Sequence, residues 1–316
     1  MFADYHVHTE FSDDSVYPME DVVKDAIRMG MDEICFTDHV DYGVKEDWDS
    51  GKEIEYRDGE PIANVDYPRY AEQIRQMQRL YGDRIAIRMG MEFGMQMHMI
   101  PQFQALYDRY PFDFIILSVH QVEDKEFWTQ DFQRGRTQQE YNERYWQEML
   151  DLVKHYQNYS VLGHMDLIVR YDEAGIYTFE KIRPYAEQIL KEVIKNGKGI
   201  EVNTSSARYG LSDTTPSRAI LELYQKLGKE LPGKVAVKVH SGEVGNQNFL
   251  RPAFWKPIVD AVSGTVVECN TAYEGERDTT EKHLKTLRVH GWSESFPVDL
   301  LDAEGPDLEL PIPNGK

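Results

Sequence analysis

Short apolar runs rich in Val, Ile and Phe alternate along the chain with longer amphipathic stretches. This alternation indicates repeated strand and helix units and a mainly parallel sheet. The predicted strands are Ala3–Val7, Glu33–Thr37, Ile85–Phe93, Phe114–Val119, Ser160–His164, Gly199–Asn203 and Val235–His240. The predicted helices are Met19–Met29, Tyr67–Leu80, Gln138–Tyr156, Phe179–Asn196 and Ser217–Leu227. Seven strands interleaved with helices predict an α/β barrel or a doubly wound sheet.

The segment Asp41–Asp66 interrupts this pattern. It is polar, rich in Gly and Asp, and has no regular apolar period, so it predicts a long loop inserted after the second strand. Long loops of this kind are more often functional than decorative. Beyond about Leu231 the sequence pattern changes again, which predicts a domain boundary near that position.

Composition narrows the class of protein. Of the 316 residues, 28% are charged and 41% are hydrophobic, a balance typical of a globular protein. A net charge of −20 without a basic patch argues against nucleic acid as a partner. The chain shows no signal peptide and no apolar run near the ~20 residues that span a bilayer, so we expect a cytoplasmic protein without a membrane partner. Cys35 and Cys269 are too few for a disulfide framework or a cysteine-based zinc site.

Histidines concentrate at the carboxyl ends of the predicted strands. Six of the ten histidines lie there, namely His6, His8, His39, His120, His164 and His240. Because the carboxyl ends of parallel strands meet at one face, ligands bind there and residues distant in sequence come together. The sequence therefore predicts one cluster of imidazoles.

Each of these motifs is weak when taken alone. His6 and His8 point to the same side of a strand, yet such a pair is common by chance. Asp38 and His39 end an apolar strand and are also compatible with a cap and a solvated ring. Glu92 stands between glycines that permit close approach, but a strand-terminal Glu can simply face water. The argument depends on their recurrence at successive strand ends.

Imidazoles and carboxylates without thiolates are the ligands of zinc, manganese or iron rather than calcium. More than four such ligands indicate more than one ion, so we predict two or three divalent metal ions. Closely spaced ions activate water and neutralise phosphate oxygens. This chemistry predicts hydrolysis of a small phosphorylated substrate.

Six ordered motifs over about residues 1–228 resemble the PHP (polymerase and histidinol phosphatase) superfamily, and more narrowly its histidinol-phosphatase branch. They are FADYHVHTEFSDDS, EICFTDHVDYG, GMEFG, ILSVHQV, VLGHMDLIVRY and IEVNTSSARYGLSDTTPS. The resemblance implies a distorted (β/α)7 barrel with a trinuclear metal site.

By the same resemblance, His6, His8 and Glu92 hold one metal, and Glu92, His120 and His164 hold a second. His39 sits on the third with an acid from the turn that follows the first strand, for which we choose Asp14. Glu92, His120 and His39 are the predicted catalytic residues. Arg170 and Arg208 resemble the residues that bind substrate phosphate, for which guanidinium is well shaped; a surface salt bridge is the alternative for either arginine.

The resemblance breaks at the last barrel strand. Relatives end it in a Gly-Ser-Asp-x-His type motif, whereas this chain has Val235–His240 followed by Glu243. Either this strand substitutes, with His240 or Glu243 reaching a metal, or the barrel and the third site are incomplete. We favour the substituted strand, because an open barrel exposes apolar edges. His240 therefore completes the predicted metal ligands.

From about Ala219 onward the chain resembles the opening part of an uncharacterised domain family associated with iron–sulfur ferredoxin modules. The motifs are VAVKVHSGEVGNQNFLRPAFWKPIVDAV, TVVECNTAYEGERDTTEKHLKTLRVHGW and PVDLLDAEGPDLELPIPNGK. We predict a metal-dependent phosphatase domain at residues 1–228 and a partial domain at residues 229–316, joined within the helix Ser217–Leu227.

The resemblance to the histidinol-phosphatase branch implies an enzyme of histidine biosynthesis that hydrolyses L-histidinol phosphate to L-histidinol and phosphate. Trp48 and Tyr56 of the insertion can form part of its pocket. Two alternatives stay open: a PHP phosphoesterase with another substrate, and a catalytically impaired metal-binding fusion protein. The sequence does not indicate the oligomeric state.

Overall fold

The computed structural model describes residues 2–57, 59–228, 236–239, 241–245, 249, 251–261, 264–270, 275–300 and 303. The chain divides into two compact units. The large unit is Ala3–Gly228, and the small unit is Lys229–Lys316 together with Met1–Phe2.

Strands and helices alternate through the large unit. Its strands are β1 (Ala3–Val7), β2 (Glu33–Phe36), β3 (His39–Val40), β4 (Tyr56–Arg57), β5 (Glu60–Pro61), β6 (Ala86–Gly94), β7 (Phe114–Ser118), β8 (Gln121–Val122), β9 (Lys125–Glu126), β10 (Val161–Leu162) and β11 (Gly199–Ile200). Its helices are α1 (Met19–Arg28), α2 (Tyr67–Tyr81), α3 (Ile100–Arg109), α4 (Gln138–His155), α5 (Phe179–Lys195) and α6 (Arg218–Gly228). Short 3-10 turns lie at Met97–Met99, Leu167–Tyr171 and Ser205–Tyr209.

The main sheet is parallel. Within the described residues of the large unit it has seven strands in the order β1-β2-β6-β7-β10-β11, with β3 also paired to β6. The start of β6 pairs with β2 and its end pairs with β3, where His39 lies opposite Glu92. The sheet curls into a half-barrel, and its carboxyl ends converge on one side. The predicted mixed α/β class is confirmed; the sevenfold repeat of the barrel stays a prediction.

The helices pack their apolar faces onto one continuous core of the large unit. In α4, for example, Tyr145, Met149 and Leu152 are fully buried, and their spacing of three to four residues places them on one helix face. The helix begins with a capping box in which Thr137 and Glu140 bind each other's backbone N–H. Local sequence and packing therefore agree on where this helix begins and which side it buries.

The predicted elements correspond closely to the observed ones. The five predicted helices are α1, α2, α4, α5 and α6, and their ends differ from the prediction by at most one residue. We did not predict α3, nor the two-residue strands of the β4–β5 and β8–β9 hairpins. No helix among the described residues is long and apolar enough to cross a membrane.

The small unit has its own sheet and core. Its described strands β12 (Ala236–Lys238), β13 (Thr265–Glu268) and β14 (Val298–Leu300) pair in parallel in that order. The helices are α7 (Pro252–Ala261), α8 (Thr280–Val289) and α9 (Trp292–Ser295). The predicted strand Val235–His240 corresponds to β12, but both of its terminal residues lie outside the described residues.

A buried ionic network lies at the end of β13 in the small unit. Glu268 is 1% exposed, and it accepts hydrogen bonds from Arg277 Nη1 at 2.8 Å and from the backbone N–H of Ser241 at 3.1 Å. His283 Nε2 lies 3.1 Å from its second oxygen. Burial opposes ionisation of this carboxyl, but its bonds to His283 and Ser241 lower the pKa of Glu268 to about 2. Glu243 accepts a 2.6 Å hydrogen bond from Arg277 Nε.

Candidate active site

A cavity of about 830 Å³ opens at the carboxyl ends of the half-barrel strands. Nine of the ten predicted site residues line it: His6, His8, Asp14, His39, Glu92, His120, His164, Arg170 and Arg208. The tenth, His240, lies outside the described residues, so its assignment stays a prediction. Trp48 and Tyr56 are exposed and are absent from the described lining of this cavity.

Glu92 is the centre of the cluster. Its side chain is 2% exposed, and four imidazoles direct Nε2 atoms at its two oxygens. Oε1 lies 3.1 Å from His120 and 2.9 Å from His164. Oε2 lies 3.1 Å from His6 and 3.4 Å from His8. The prediction that strand ends bring these five side chains together is therefore confirmed.

Two glycines of β6 allow the neighbouring groups to approach Glu92 closely. A Cβ atom on Gly94 would lie 1.9 Å from Asp41 Oδ1 and 2.6 Å from His120 Nδ1. A Cβ atom on Gly90 would lie 2.8 Å from the carbonyl oxygen of Phe114. All three distances are shorter than van der Waals contact, so the site depends on glycine on either side of the carboxylate.

Asp41 orients two of the imidazoles. Its Oδ2 lies 2.6 Å from His39 Nδ1, and its Oδ1 lies 2.8 Å from His120 Nδ1. When a carboxylate binds Nδ1–H, the ring presents the lone pair of Nε2 to the opposite side. Both rings are therefore fixed with Nε2 toward the cavity. Sequence analysis missed Asp41, although its place two residues after His39 is a usable signal.

The third predicted ligand group combines His39 with the acids of the loop after β1. His39 Nε2 lies 3.0 Å from Asp13 Oδ1 and 3.6 Å from Asp14 Oδ1. The nearly buried Lys45 also contacts this group, at 2.6 Å from Asp13 and 3.0 Å from Asp41. Both aspartates are thus within reach of His39, and the choice of Asp14 stays a prediction.

Glu201 supports the other side of the cluster and was also missed. It follows β11, and its Oε1 lies 2.5 Å from His6 Nδ1. Its Oε2 accepts a hydrogen bond from the backbone N–H of His164 at 2.9 Å. A carboxylate toward the carboxyl end of a predicted strand is the signal that identified Glu92, and Glu201 in the Gly199–Asn203 strand carries a similar signal.

In the cluster, burial and neighbouring charges shift the pKa values of Glu92 and His120 in opposite directions. Burial alone would raise the pKa of Glu92, but the charges of His6 and His120 hold that pKa well below its usual range. Burial alone would lower the pKa of His120, but Glu92 and Asp41 raise it to about 9. Glu92 and His120 are therefore stabilised in their ionised forms by their neighbours, whereas burial lowers the pKa of His8 and of His164.

The donor atoms suit divalent cations. Three groups bring their candidate ligand atoms within 4.8 Å of one another: His6, Glu92 and His164; His39, Asp41 and His120; and Asp13, Asp14 and His39. Nε2 atoms of His6 and His8 also face each other 3.0 Å apart beside Glu92. Lone pairs that converge in this way on one carboxylate match a metal-binding site of nitrogen and oxygen ligands.

Arg170 lies in the cavity wall near this cluster. Its Nη2 donates to Asn203 Oδ1 at 3.1 Å, to Ser205 Oγ at 3.0 Å and to Thr215 Oγ1 at 3.1 Å. These partners are uncharged, so the guanidinium charge remains available to an anion in the cavity. Arg208 is exposed and lines the same wall.

A family model described as the PHP domain matches residues 4–205. The histidinol-phosphatase of Lactococcus lactis is 32% identical over 208 residues, which cover 64% of this chain and 71% of that protein. The crystal structure of the histidinol phosphate phosphatase from L. lactis, complexed with zinc, L-histidinol and phosphate, superposes with a TM-score of 0.60. It is 29% identical, and the match covers 74% of this chain and 83% of that chain. A solved structure from Listeria monocytogenes with 18% identity has a TM-score of 0.56, covers 71% of this chain and 91% of its own, and shows the fold alone.

Proposed function

The chain belongs to the PHP domain family, and on this basis we propose that it hydrolyses L-histidinol phosphate to L-histidinol and inorganic phosphate. The observation that carries the proposal is the convergence of four imidazole Nε2 atoms on the buried carboxylate of Glu92. The relatives named as histidinol-phosphatases support the same substrate. The product places the reaction in histidine biosynthesis.

We assign His6, His8, Glu92, His120 and His164 to two divalent cations, and His39 with Asp14 to a third. Zinc, manganese and iron all suit these ligands, and the relative from L. lactis contains zinc. Bound cations supply Lewis acidity toward phosphate oxygens and lower the pKa of water. Glu92, His120 and His39 are the residues that we expect at the reacting centre.

The protein's own groups orient this centre. Asp41 fixes the rings of His39 and His120, and Glu201 fixes the ring of His6, each through Nδ1. Fixed rings lose no orientational freedom when they bind a ligand, which favours a single geometry of the site. The network therefore prepares the imidazoles before substrate arrives.

Arg170 and Arg208 are the proposed phosphate-binding residues. Hydrogen bonds from Arg170 to Asn203, Ser205 and Thr215 hold its guanidinium on the cavity wall. A guanidinium in this position attracts the dianionic phosphate and neutralises charge that develops on its oxygens. Arg208 would contribute from the exposed side of the same wall.

For the rest of the chain we keep two structural proposals. The large unit is a distorted (β/α)7 barrel, whose last strand is substituted or incomplete. Residues 229–316 are a partial domain of the uncharacterised family that is associated with iron–sulfur ferredoxin modules, and the domain at residues 1–228 carries the phosphatase site. His240 as a metal ligand belongs to the first proposal, in which Val235–His240 is the substituted last strand.

The direct test is phosphate release by the full chain, loaded separately with zinc, manganese or iron. L-histidinol phosphate is compared with a panel of other phosphomonoesters. We expect turnover that prefers L-histidinol phosphate and falls at least 100-fold in the His120→Ala variant. His155→Ala is the matched control, because this histidine is exposed at the end of α4 and bonds only a backbone carbonyl. Preferential turnover of another phosphomonoester would overturn the substrate assignment.

A further inference from the structure

A lysine side chain lies beside the third ligand group, which consists of Asp13, Asp14 and His39. Lys45 Nζ lies 2.6 Å from Asp13 Oδ1 and 3.0 Å from Asp41 Oδ2. It also lies 3.4 Å from His39 Nδ1. The Lys45 side chain is only 6% exposed, and an amine is seldom buried so deeply unless it is paired with acids. One positive charge of the protein itself is therefore already present at this group.

The loop after β3 holds Lys45 in a fixed position. The Lys45 N–H donates to the Asp41 carbonyl oxygen at 2.9 Å, which closes one turn and lets the ammonium reach the carboxylate of the same residue. Gly43 within this turn has a φ of 98°, in the left-handed region that favours glycine. Asn64 accepts the N–H of Asp41 at 2.9 Å and donates to the Lys45 carbonyl oxygen at 3.4 Å. Both ends of the insertion therefore take part in placing the lysine.

The two proposed metal positions around Glu92 have a different surrounding. Four imidazoles contact the Glu92 carboxylate, and the Ser118 hydroxyl donates to it at 2.6 Å. An imidazole releases its proton when a metal binds. A lysine ammonium offers no lone pair, and neighbouring carboxylates favour its charged form. An incoming divalent cation can therefore displace protons around Glu92, whereas at the third group it meets the charge of Lys45.

The third group nevertheless keeps donor atoms for a cation. His39 Nδ1 lies 2.6 Å from Asp41 Oδ2, whereas His39 Nε2 is buried and forms no hydrogen bond within the described part of the chain. Asp13 Oδ1 and Asp14 Oδ1 lie 3.0 and 3.6 Å from this nitrogen. Lys45 neutralises Asp13, and charges of like sign repel strongly at such short range away from bulk water. The group can thus bind a divalent cation, but with a lower affinity.

We propose that Lys45 is a built-in cation of the third group, which lowers the affinity of this group for a divalent cation below that of the two positions around Glu92. This inference rests on the metal ligands assigned in the proposed function and deepens that assignment. Two ions are then held firmly, and the third exchanges with the solution. Because Lys45 engages Asp13, Asp14 is the acid that remains for the exchangeable ion. Occupancy of the third position then depends on the concentration of free metal.

Zinc binding by the full chain tests this inference. The chain is equilibrated at a series of buffered free zinc concentrations, and inductively coupled plasma mass spectrometry counts the zinc ions per chain. We expect two ions to bind first and a third to require free zinc at least about 100-fold higher. His39→Ala should abolish the third step alone. Three ions of equal affinity, a third step that persists in His39→Ala, or a chain without bound zinc would overturn the inference.

Substitution of Lys45 should strengthen the third step. Lys45→Met nearly keeps the length of the side chain and removes its charge, so the free zinc at half-occupancy should fall at least about tenfold. Lys45→Gln should act in the same direction, whereas Lys45→Arg keeps the charge and should not. A wild-type chain that binds only two ions fits the inference when Lys45→Met binds a third. Equal zinc binding by the wild-type chain, Lys45→Met and Lys45→Gln would refute it.

Lys52→Met is the matched control. Lys52 belongs to the same insertion and also pairs with an acid at 2.6 Å, Glu46, but it is exposed and is absent from the described lining of the cavity. Its substitution should leave every zinc-binding step unchanged. Circular dichroism of each variant tests the fold, and if Lys45→Met does not fold, the comparison of Lys45→Gln with Lys45→Arg decides.

Turnover and zinc binding together separate this inference from the proposed reaction. If zinc binds as expected but no phosphomonoester is hydrolysed, the proposed function fails and the role of Lys45 stands. If L-histidinol phosphate is hydrolysed while the neutral variants of Lys45 bind zinc like the wild-type chain, the reaction stands and the role of Lys45 is wrong.

Discussion

Asp41 Oδ1 lies 2.8 Å from His120 Nδ1, and a Cβ atom on Gly94 would come within 1.9 Å of the first atom and 2.6 Å of the second. The bond joins the first residue after β3 to the second residue after β7. A single methyl group at position 94 would occupy its place. The bond that orients the His120 imidazole therefore depends on the absence of a side chain at Gly94 of β6.

Gly94→Ala should therefore uncouple Asp41 from His120. We expect the free energy of unfolding to fall by about 1–3 kcal/mol, as for other overpacked positions, and phosphate release to fall at least tenfold. Urea unfolding and steady-state kinetics measure the two effects. Gly199→Ala is the comparison, because its Cβ atom meets only a side-chain carbon of Val161, at 3.1 Å. Full activity in Gly94→Ala would show that the Asp41–His120 bond is dispensable.

Glu201→Gln should weaken metal binding without removing a predicted ligand. The change weakens the bond that fixes His6 Nδ1, and loss of such a partner commonly costs 10- to 100-fold in metal affinity. Competition with a chromophoric zinc chelator measures the affinity directly. Glu222→Gln, on the exposed side of α6, serves as the control. Equal zinc affinity in the two variants would argue against an orienting role for Glu201.

Metal removal should lower the thermal stability of the chain. A ligand at 1,000 times its Kd stabilises the native state by about 4 kcal/mol, so chelation should lower the melting temperature by several degrees. Calorimetry before and after dialysis against a chelator, and after addition of zinc or manganese, tests this. The shift should be smaller in His120→Ala than in His155→Ala. Identical melting curves with and without metal would contradict a bound cation at this site.

The small unit should be sensitive to acid through Glu268. The pKa of Glu268 in the folded state is about 2, below its ordinary value near 4.5, so the ionised carboxylate stabilises the fold above pH 4.5. This stabilisation, on the order of 3 kcal/mol, is lost as pH falls from about 5 toward 2. The side chains of Arg277 and His283 face it.

Urea unfolding of the wild-type chain and of Glu268→Gln across this pH range measures the contribution. We expect Glu268→Gln to be less stable at pH 7, since Arg277 keeps Glu243 but loses the buried carboxylate of Glu268, and the difference should shrink on acidification. The shrinkage follows because a protonated Glu268 resembles glutamine. A difference that stays constant between pH 7 and pH 3 would exclude the lowered pKa as its source.

Much of the cluster could be predicted, because the ends of apolar strands can be recognised in the sequence. His6, His39, Glu92, His120 and His164 each follow or end an apolar run, and parallel topology alone brings such residues together. Asp41 and Glu201 also lie at strand ends, but a strand-terminal acid can simply face water, so its position alone does not mark it as functional. Their roles depend on which imidazole nitrogen they contact, which only the structure gives.

Other features could not be predicted from local sequence. Glu126 and Trp128 reach the cavity through a two-residue turn whose left-handed backbone has no glycine to signal it. Arg57 donates a hydrogen bond to Glu126 across 69 positions of sequence, and no periodicity of the sequence indicates such a contact. By contrast, α3 carried a usable signal, since Phe103 and Leu106 are three residues apart and both are buried. We missed it because its ten residues follow a methionine-rich segment without a polar cap.

Within the described residues, the strand order of the half-barrel ends at β1 on one side and at β11 on the other. Among the described residues no ladder of backbone hydrogen bonds joins these two strands, yet the side chain of Glu201, just after β11, contacts His6 on β1. The side chains of the candidate active site thus link the first strand of the sheet to the last. Deletion of either terminal strand would therefore remove a contact of the metal-binding cluster as well as an edge of the sheet, and both the fold and the activity would suffer.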